Sequence, residues 1–378
     1  MRIAYVCADS GIPVPGFKGA SVHVRELSKA FLELGADLRL LVARIGNGQG
    51  HETGLHLQPI DGGRRVADPN PSIRGLLETL TPIDLVYERY SLWSTAAMDY
   101  AAEAGIPGVV EVNSPLIDEH QRHRGSLDVE WAEECARRVF TTARLVVAVS
   151  GSVADWVTRI AGRGCNVTVI PNGVDTERFG SLSAHGPNGT FTVGFCGSLK
   201  PWHGVGTLLE AVAMLLDRDP SYRLLVVGDG PEHEHLQATA EALGIGWAAS
   251  FTGAVDYPSV PGYLAKMDAA AAPYPDLPDF YFSPLKLFEY LAASVPVVAS
   301  RVGQVAEILE DGVTGVLCPP GDPRALAEAI ARLRHDPARR TALARAGREA
   351  VVRRHTWRHV ATEILAEVGL AETVAEVA

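Results

Sequence analysis

An apolar strand, a loop of glycine and proline, an amphipathic helix and another apolar strand follow one another from residue 2, and the same order restarts near residue 191. The first pass reads "RIAYVCAD", "SGIPVPGFKGAS", "VHVRELSKAFLELG" and "ADLRLLVAR". The second reads "FTVGFCGS", "KPWHGVG", "TLLEAVAMLLDRD" and "YRLLVVGDG". Strands alternating with helices in this way predict two doubly wound α/β domains of Rossmann-like design. Further strands are expected at "IDLVYERY", "IPGVVEVN", "RLVVAVS" and "NVTVIPNGVD", then at "ASFTGAV", "MDAAAAPY" and "VPVVAS". Helices are expected around Trp131–Phe140, at Pro323–Leu333 and from about Arg339 to Ala378. The loop-rich "RFGSLSAHGPNGT" reads as a linker. The expected domains are therefore residues 1–175 and 191–355, joined at 176–190, with a cleft between them of the kind where open sheets bind ligands.

Length and composition exclude several classes. A chain of 378 residues with 47% hydrophobic and 21% charged residues has material for two globular cores. A net charge of −11 argues against nucleic acid as partner, because a polyanion needs a basic surface. Five cysteines, scattered and without CxxC spacing, predict reduced thiols in a cytoplasmic protein rather than a disulfide framework or a zinc site. The opening "MRIAYVCA" reads as a strand, not a signal peptide, and no apolar run is long enough to span a bilayer. Peripheral membrane contact stays open.

The chemistry concentrates in a few loops. "SPLKLFEYLA" (283–292) carries Lys286 and Glu289 in an otherwise apolar run. Ser283 fits an N-cap and Pro284 the first helical position, which puts Lys286 in the first turn, where the helix dipole disfavours a cation. A lysine placed there makes sense if an anion sits in front of it; the plain alternative is a solvated Lys–Glu pair. "GFKGASVH" and "CGSLKPWHG" each lead from a strand into a helix, the position at which backbone N–H groups bind anions. The chain has only five lysines, and Lys18, Lys200 and Lys286 all lie in such loops. "VVGDGP" (226–231) ends a strand on Gly228, where a ligand can approach the backbone closely. "DRD" (217–219) closes a helix and reads as a turn rather than a metal site, and the pairs His233/His235 and His355/His359 lack a third ligand nearby. GxGxxG, GxSxG, HExxH and Walker A patterns are absent, so a dehydrogenase is disfavoured.

In order and spacing, "KGASVHVREL", "IPNGVD", "CGSLKPWHG", "VVGDGP" and "SPLKLFEYLAASVPVVAS" resemble the family-4 glycosyltransferases over nearly the whole chain. The resemblance implies a GT-B fold and a retaining, metal-independent transfer from a nucleotide sugar, a UDP-sugar first and a GDP- or other sugar nucleotide otherwise. It implies no cofactor, and an acceptor that is a small molecule, a glycan or a lipid-linked sugar. It also implies that residues 356–378 pack back on the N-terminal domain. Lys286 and Lys200, with the N–H groups of Leu285 and Lys286, would hold the diphosphate, and Glu289 would clamp the ribose. Gly19 and Ala20 would approach the donor, while Lys18, Ser21, His23 and Glu119 would face the acceptor. The sequence departs from the family pattern at four of these places. Tyr281 stands where the first acid of E-x7-E belongs, Ser198 where an arginine is usual, His203 where a lysine is usual, and Asn113 where many relatives have histidine. An epimerase or hydrolase of the same fold, and a non-catalytic nucleotide-sugar-binding protein, are the rival readings.

Overall fold

The computed structural model describes residues 1–16, 18–46, 54–61, 68–123, 125, 127–180, 189–277 and 279–371. The chain divides into two compact units, one of Met1–Gly173 with Tyr281–Ser283 and Trp357–Ala378, the other of Val174–Phe280 with Pro284–Thr356. Of the stretch read as linker, residues 181–188 lie outside the described residues.

The N-terminal unit alternates β1 (Arg2–Cys7), α1 (Gly19–Glu33), β2 (Asp37–Val42), β3 (His56–Pro59), α2 (Asn70–Leu80), β4 (Leu85–Arg89), α3 (Ala96–Ala104) and β5 (Gly108–Val112). It continues with α4 (Leu116–His123), α5 (Val129–Thr142), β6 (Leu145–Ala148), α6 (Gly151–Ala161) and β7 (Val167–Val169). Its seven strands are ordered β3-β2-β1-β4-β5-β6-β7, and every pairing is parallel. Apolar side chains of β4, β5 and β6 pack under α3, α5 and α6 around Tyr90, Phe140 and Trp156. Asp128 and Ser150 cap α5 and α6 by accepting from the N–H groups of Trp131 and Val153.

The second unit contains β8 (Phe191–Cys196), α7 (Val205–Leu216), β9 (Tyr222–Val227), α8 (His233–Ala242), β10 (Ala249–Phe251), α9 (Val260–Leu264) and β11 (Ala269–Ala272). Then come α10 (Leu285–Ala292), β12 (Val297–Ser300), α11 (Gly303–Ile308), β13 (Val316–Cys318), α12 (Pro323–His335) and α13 (Pro337–Arg354). The six strands run β10-β9-β8-β11-β12-β13, again all parallel. Both sheets therefore reverse strand order beside their first strand, between β1 and β4 and between β8 and β11. Loops at the carboxyl side of such a switch point make the crevice that ligands use.

The last helix, α14 (Trp357–Glu367), belongs to the N-terminal unit. It buries Trp357, Val360, Ala361, Ile364 and Leu365, sets the Trp357 ring perpendicular to His23 at 4.9 Å, and places Arg358 Nη1 3.3 Å from the Glu33 carbonyl. The helical region expected from about Arg339 onward consists of α13 and α14, which part at His355–Thr356, beside the boundary expected between residues 355 and 356. Strands β3 and β13 were not expected from the sequence; β3 is half exposed and ends in proline.

Several glycines are dictated by the backbone. Gly204 has φ +67° between the 3₁₀ turn at Pro201–His203 and α7, and a Cβ there would lie 1.9 Å from the Pro273 carbonyl oxygen. Two residues on, Gly206 faces open space. Gly204→Ala should therefore destabilise by about 2–3 kcal/mol, and Gly206→Ala should be neutral or stabilise by about 0.5 kcal/mol. Thermal unfolding of the two variants checks this; equal melting temperatures would contradict the backbone geometry.

Candidate active site

In the second unit, β8 delivers Cys196 to the sheet edge, and Gly197 (φ +150°) turns the chain away. Helix α10 is docked on that point by Tyr290, whose hydroxyl accepts the Cys196 N–H at 2.7 Å and donates to the Cys196 carbonyl at 3.1 Å. One turn earlier on the same helix face is Lys286. Its side chain lies over Gly197, where a Cβ would come within 2.9 Å of the lysine Cε. The ammonium sits 4.6 Å from the Phe195 ring centre and 5.3 Å from that of Tyr274. Lys286 is 9% exposed, as is Glu289, so the solvated-pair alternative fails.

Among the described residues the Lys286 Nζ has no hydrogen-bond partner. Burial drives its pKa down to about 7, against the opposing pull of Cys196 and Glu289. The helix starts one residue later than the sequence suggested. Pro284 is the N-cap in extended conformation, and no side chain caps the first turn, so Lys286 is the second helical residue. Ser283 is not a cap because it is engaged elsewhere: its hydroxyl accepts from the Asn172 N–H at 3.0 Å, and its carbonyl accepts from Asn172 Nδ2 at 2.8 Å.

Ser198, Lys200 and His203 share the loop after β8. The Ser198 side chain is exposed, and its carbonyl accepts the Nδ1–H of His203. Burial, then the Lys286 and Lys200 charges, push His203 down to about 3, so it is a neutral imidazole with Nε2 unprotonated. Lys200 Nζ stands 5.7 Å from the Trp202 ring centre. Gly228 (φ +129°) presses against this loop, and a Cβ there would meet the Gly197 oxygen at 2.1 Å. Leu285 is half-buried at the first helical position of α10.

The N-terminal unit holds the remaining candidates. Gly19, Ala20 and Ser21 form the first turn of α1 rather than a loop before it, with Lys18 as N-cap and Lys18 Nζ donating to the Gly11 carbonyl at 3.1 Å. Ser21 is fully buried with an unpartnered hydroxyl. His23 is 2% exposed and close to a partner at both ring nitrogens, Nε2 2.9 Å from Glu111 and Nδ1 3.3 Å from Arg89, contacts that join α1 to the sheet. Burial alone would raise the Glu111 pKa, but His23 and Arg89 hold that carboxyl below its usual range. Asn113 follows β5 with both amide atoms buried and unpartnered. The Tyr281 hydroxyl donates to Glu119 at 2.6 Å, and its carbonyl accepts from Ser150 Oγ at 2.7 Å. Sequence reasoning missed Tyr290, Phe195, Tyr274 and Asn172; the i,i+4 spacing of Lys286 and Tyr290 was the one available signal.

A buried, unpaired ammonium is a liability in the empty protein. Lys286→Met should raise apo stability by about 1–4 kcal/mol. The sign with pH follows from the lowered pKa. Between about 7 and the ordinary lysine value of 10.5 the unfolded chain binds more protons, so wild-type stability rises with pH across that window. The advantage of the Met variant should be full below pH 7 and shrink above it; chemical denaturation at pH 6 and pH 9 measures both, and a pH-independent difference near zero would refute the burial argument.

Family models match both halves: "Glycosyltransferase Family 4" over residues 17–178 and "Glycosyl transferases group 1" over residues 190–336. A glycogen synthase of Mycobacterium tuberculosis is 31% identical over 57% of this chain, and the match spans only about half, 52%, of that relative's length. A phosphatidyl-myo-inositol mannosyltransferase of Mycobacterium leprae is 29% identical over 97% of this chain and 96% of its own. Among solved structures, sucrose-phosphate synthase from Thermosynechococcus elongatus superposes with a TM-score of 0.75 at 19% identity, covering 100% of both chains. Anabaena HepE in complex with UDP and glucose gives 0.71 at 21% identity, covering 99% of each. These likenesses give the fold, GT-B, and the matched models give the family: the chain belongs to the family-4 glycosyltransferases.

Proposed function

We propose that the chain transfers a sugar from a nucleoside diphosphate sugar, a UDP-sugar first, to an acceptor hydroxyl with retention of anomeric configuration and without a metal ion. One observation carries the reading: an unpartnered, buried Lys286 ammonium in the first turn of α10, beside the glycine-lined end of β8 at the sheet's switch point. Such a group is completed by a diphosphate. The anion restores the lysine's charge, which burial has weakened, and the free N–H groups at the start of α10 point the same way. HepE, a neighbour in fold, is a UDP complex, which supports the choice of base.

Breaking the bond between the anomeric carbon and the diphosphate oxygen builds negative charge on the leaving group. Lys286 and Lys200 stabilise that charge. The acceptor oxygen attacks from the same face, and its proton passes to a donor phosphate oxygen, so no side-chain nucleophile is required. Glu289 accepts from the ribose hydroxyls, and neutral His203 offers its Nε2 as an acceptor. Among the described residues no group of His, Cys, Asp and Glu has metal-site geometry, and no helix is long and apolar enough to cross a membrane. The five cysteines are free, which fits a reducing cytoplasm.

Lys286→Ala should lower kcat about 10²–10³-fold, the loss typical of one preorganised donor. Glu289→Gln should chiefly raise the donor KM by about 10–100-fold. Steady-state kinetics with a UDP-sugar, with folding checked by circular dichroism, decides; near-wild-type values in both variants would sink the assignment. Activity should survive a chelator. Nucleotide release that needs no acceptor would favour the hydrolase or epimerase reading instead.

Charge uptake gives a separate readout. Above pH 7 an increasing share of Lys286 is neutral in the free protein, so UDP binding must draw a proton from solvent there. Calorimetry at pH 8 in buffers of different ionisation enthalpy should detect this uptake in the wild type and lose it in Lys286→Met; equal heats in all buffers would overturn the link between lysine and diphosphate.

A further inference from the structure

Helix α10 carries its liability at one end and its anchorage at the other. Lys286 stands in an uncapped first turn, where the helix dipole disfavours a cation. Eight residues are too few to hold such a helix by local propensity, so contacts with the rest of the unit must position it. At the carboxyl end, three of the last four carbonyls are satisfied by the turn that follows. Glu289 accepts from the Ala293 N–H at 2.9 Å, Tyr290 from Val295 at 3.0 Å and Leu291 from Ser294 at 3.0 Å. The fourth carbonyl, of Ala292, accepts from Nη1 of Arg348 on α13.

Arg348 is where α10, α13 and the segment that opens the second unit meet. Its Nη1 also donates to the Phe179 carbonyl at 2.9 Å, and its Nη2 to the Thr176 carbonyl at 3.3 Å. The side chain is half-buried and pairs with no carboxylate among the described residues, so these three bonds all go to main chain. Thr176 and Phe179 belong to a compact turn, in which Asp175 Oδ1 accepts from the N–H groups of Glu177 at 3.1 Å and Arg178 at 2.9 Å. The buried Phe179 ring lies 5.9 Å from Tyr257, and the Arg178 guanidinium 4.8 Å from the same ring. Helix α13 also lies close against α10. A Cβ on its buried Gly347 would come within 2.7 Å of Leu291 Cδ2, and His355, just past its end, sets its ring 5.0 Å from Phe288.

We propose that Arg348 is a positioning residue for the transfer reaction, acting through α10 on Lys286. The inference rests on the Lys286–diphosphate reading above and adds what holds that lysine in place. A guanidinium is a planar fork of donors and serves three carbonyls at once, which a single ammonium cannot span. A cation at the carboxyl end of α10 also complements the dipole that Lys286 opposes at the other. Without Arg348 the Ala292 carbonyl loses its partner, and the end of the helix is released while Tyr290 still holds its middle. The unfavourably placed lysine is then free to withdraw from the position that an anion requires.

The test is a double-mutant cycle on UDP affinity, measured by calorimetry on the full chain. Arg348→Met should weaken UDP binding about 5–10-fold in the wild-type background, and less than about 2-fold when Lys286 is already methionine. Arg348→Lys keeps the charge and with it the fold, and should show the same pattern with a loss of about 2–5-fold. Arg334→Met is the control for a purely structural effect. Arg334 pairs with Asp219 at 2.7 Å, bonds Ser221 and stacks on Tyr222 in the same unit, contacts that include no residue of α10. Its loss should lower the melting temperature and leave UDP affinity unchanged. Equal losses in both backgrounds, unchanged affinity in the Arg348 variants, or a matching loss in Arg334→Met would overturn the proposal. If Lys286→Met alone leaves UDP affinity unchanged, the diphosphate reading fails and takes the inference with it. A clear dependence on Lys286 with an additive effect of Arg348 strikes the positioning role alone.

Discussion

Parallel pairing is the constraint on which the rest of this structure depends. Every strand in both sheets runs the same way as its neighbours, so each chain return has to cross a face of the sheet, and all strand ends of one polarity gather at one edge. The segments that carry the candidate residues lie at that edge: after β1 and β5 in the first unit, after β8, β9 and β11 in the second. Hydrophobic burial holds the sheets together, while the edge is free to be polar. That division lets loops as unlike as "GFKGAS" and "CGSLKPWHG" occupy equivalent places on two copies of one architecture.

At the edge of the second sheet, stability and function oppose each other on a single residue. Tyr290 fixes α10 to the backbone of Cys196, and this fixation forces Lys286 between Phe195 and Tyr274, over Gly197. Aromatic faces offer the ammonium partial compensation, weaker than a hydrogen-bonded anion would give. Burial first, and then the Lys286 charge, keeps His203 neutral, and the Ser198 carbonyl holds the imidazole proton on Nδ1. The loop after β8 thus contributes one cation, Lys200, and α10 another, Lys286, with His203 neutral between them in sequence.

The fold was legible because long apolar strands and amphipathic helices each announce their period. The strands that were missed, His56–Pro59 and Val316–Cys318, are short enough that their pairing partners define them. At the site, Lys286 was legible as a cation in a first helical turn, a local conflict with the dipole that demands an explanation. Its aromatic surroundings were not, since Phe195 comes from β8 and Tyr274 from the stretch after β11, both outside α10. The surroundings of His23 were hidden for a related reason. A histidine near a glycine turn looks available until the sheet brings Glu111 and Arg89 to its two nitrogens. Tyr281 likewise sits at the family's acidic position, yet its hydroxyl is turned onto Glu119, 162 residues away in sequence.

Helix α14 ties the order of synthesis to the completion of the first unit. The helix buries Trp357, Ile364 and Leu365 within a body whose other residues, apart from Tyr281–Ser283, end at Gly173. A ribosome delivers those residues only after the whole second unit has been made. Until then the nascent first unit carries an unsealed groove along α1, with the His23 ring lacking its Trp357 neighbour and the Glu33 carbonyl lacking Arg358. Any fragment cut in the 174–190 region inherits the same opening. Neither unit is therefore a contiguous piece of chain that can be expressed whole on its own.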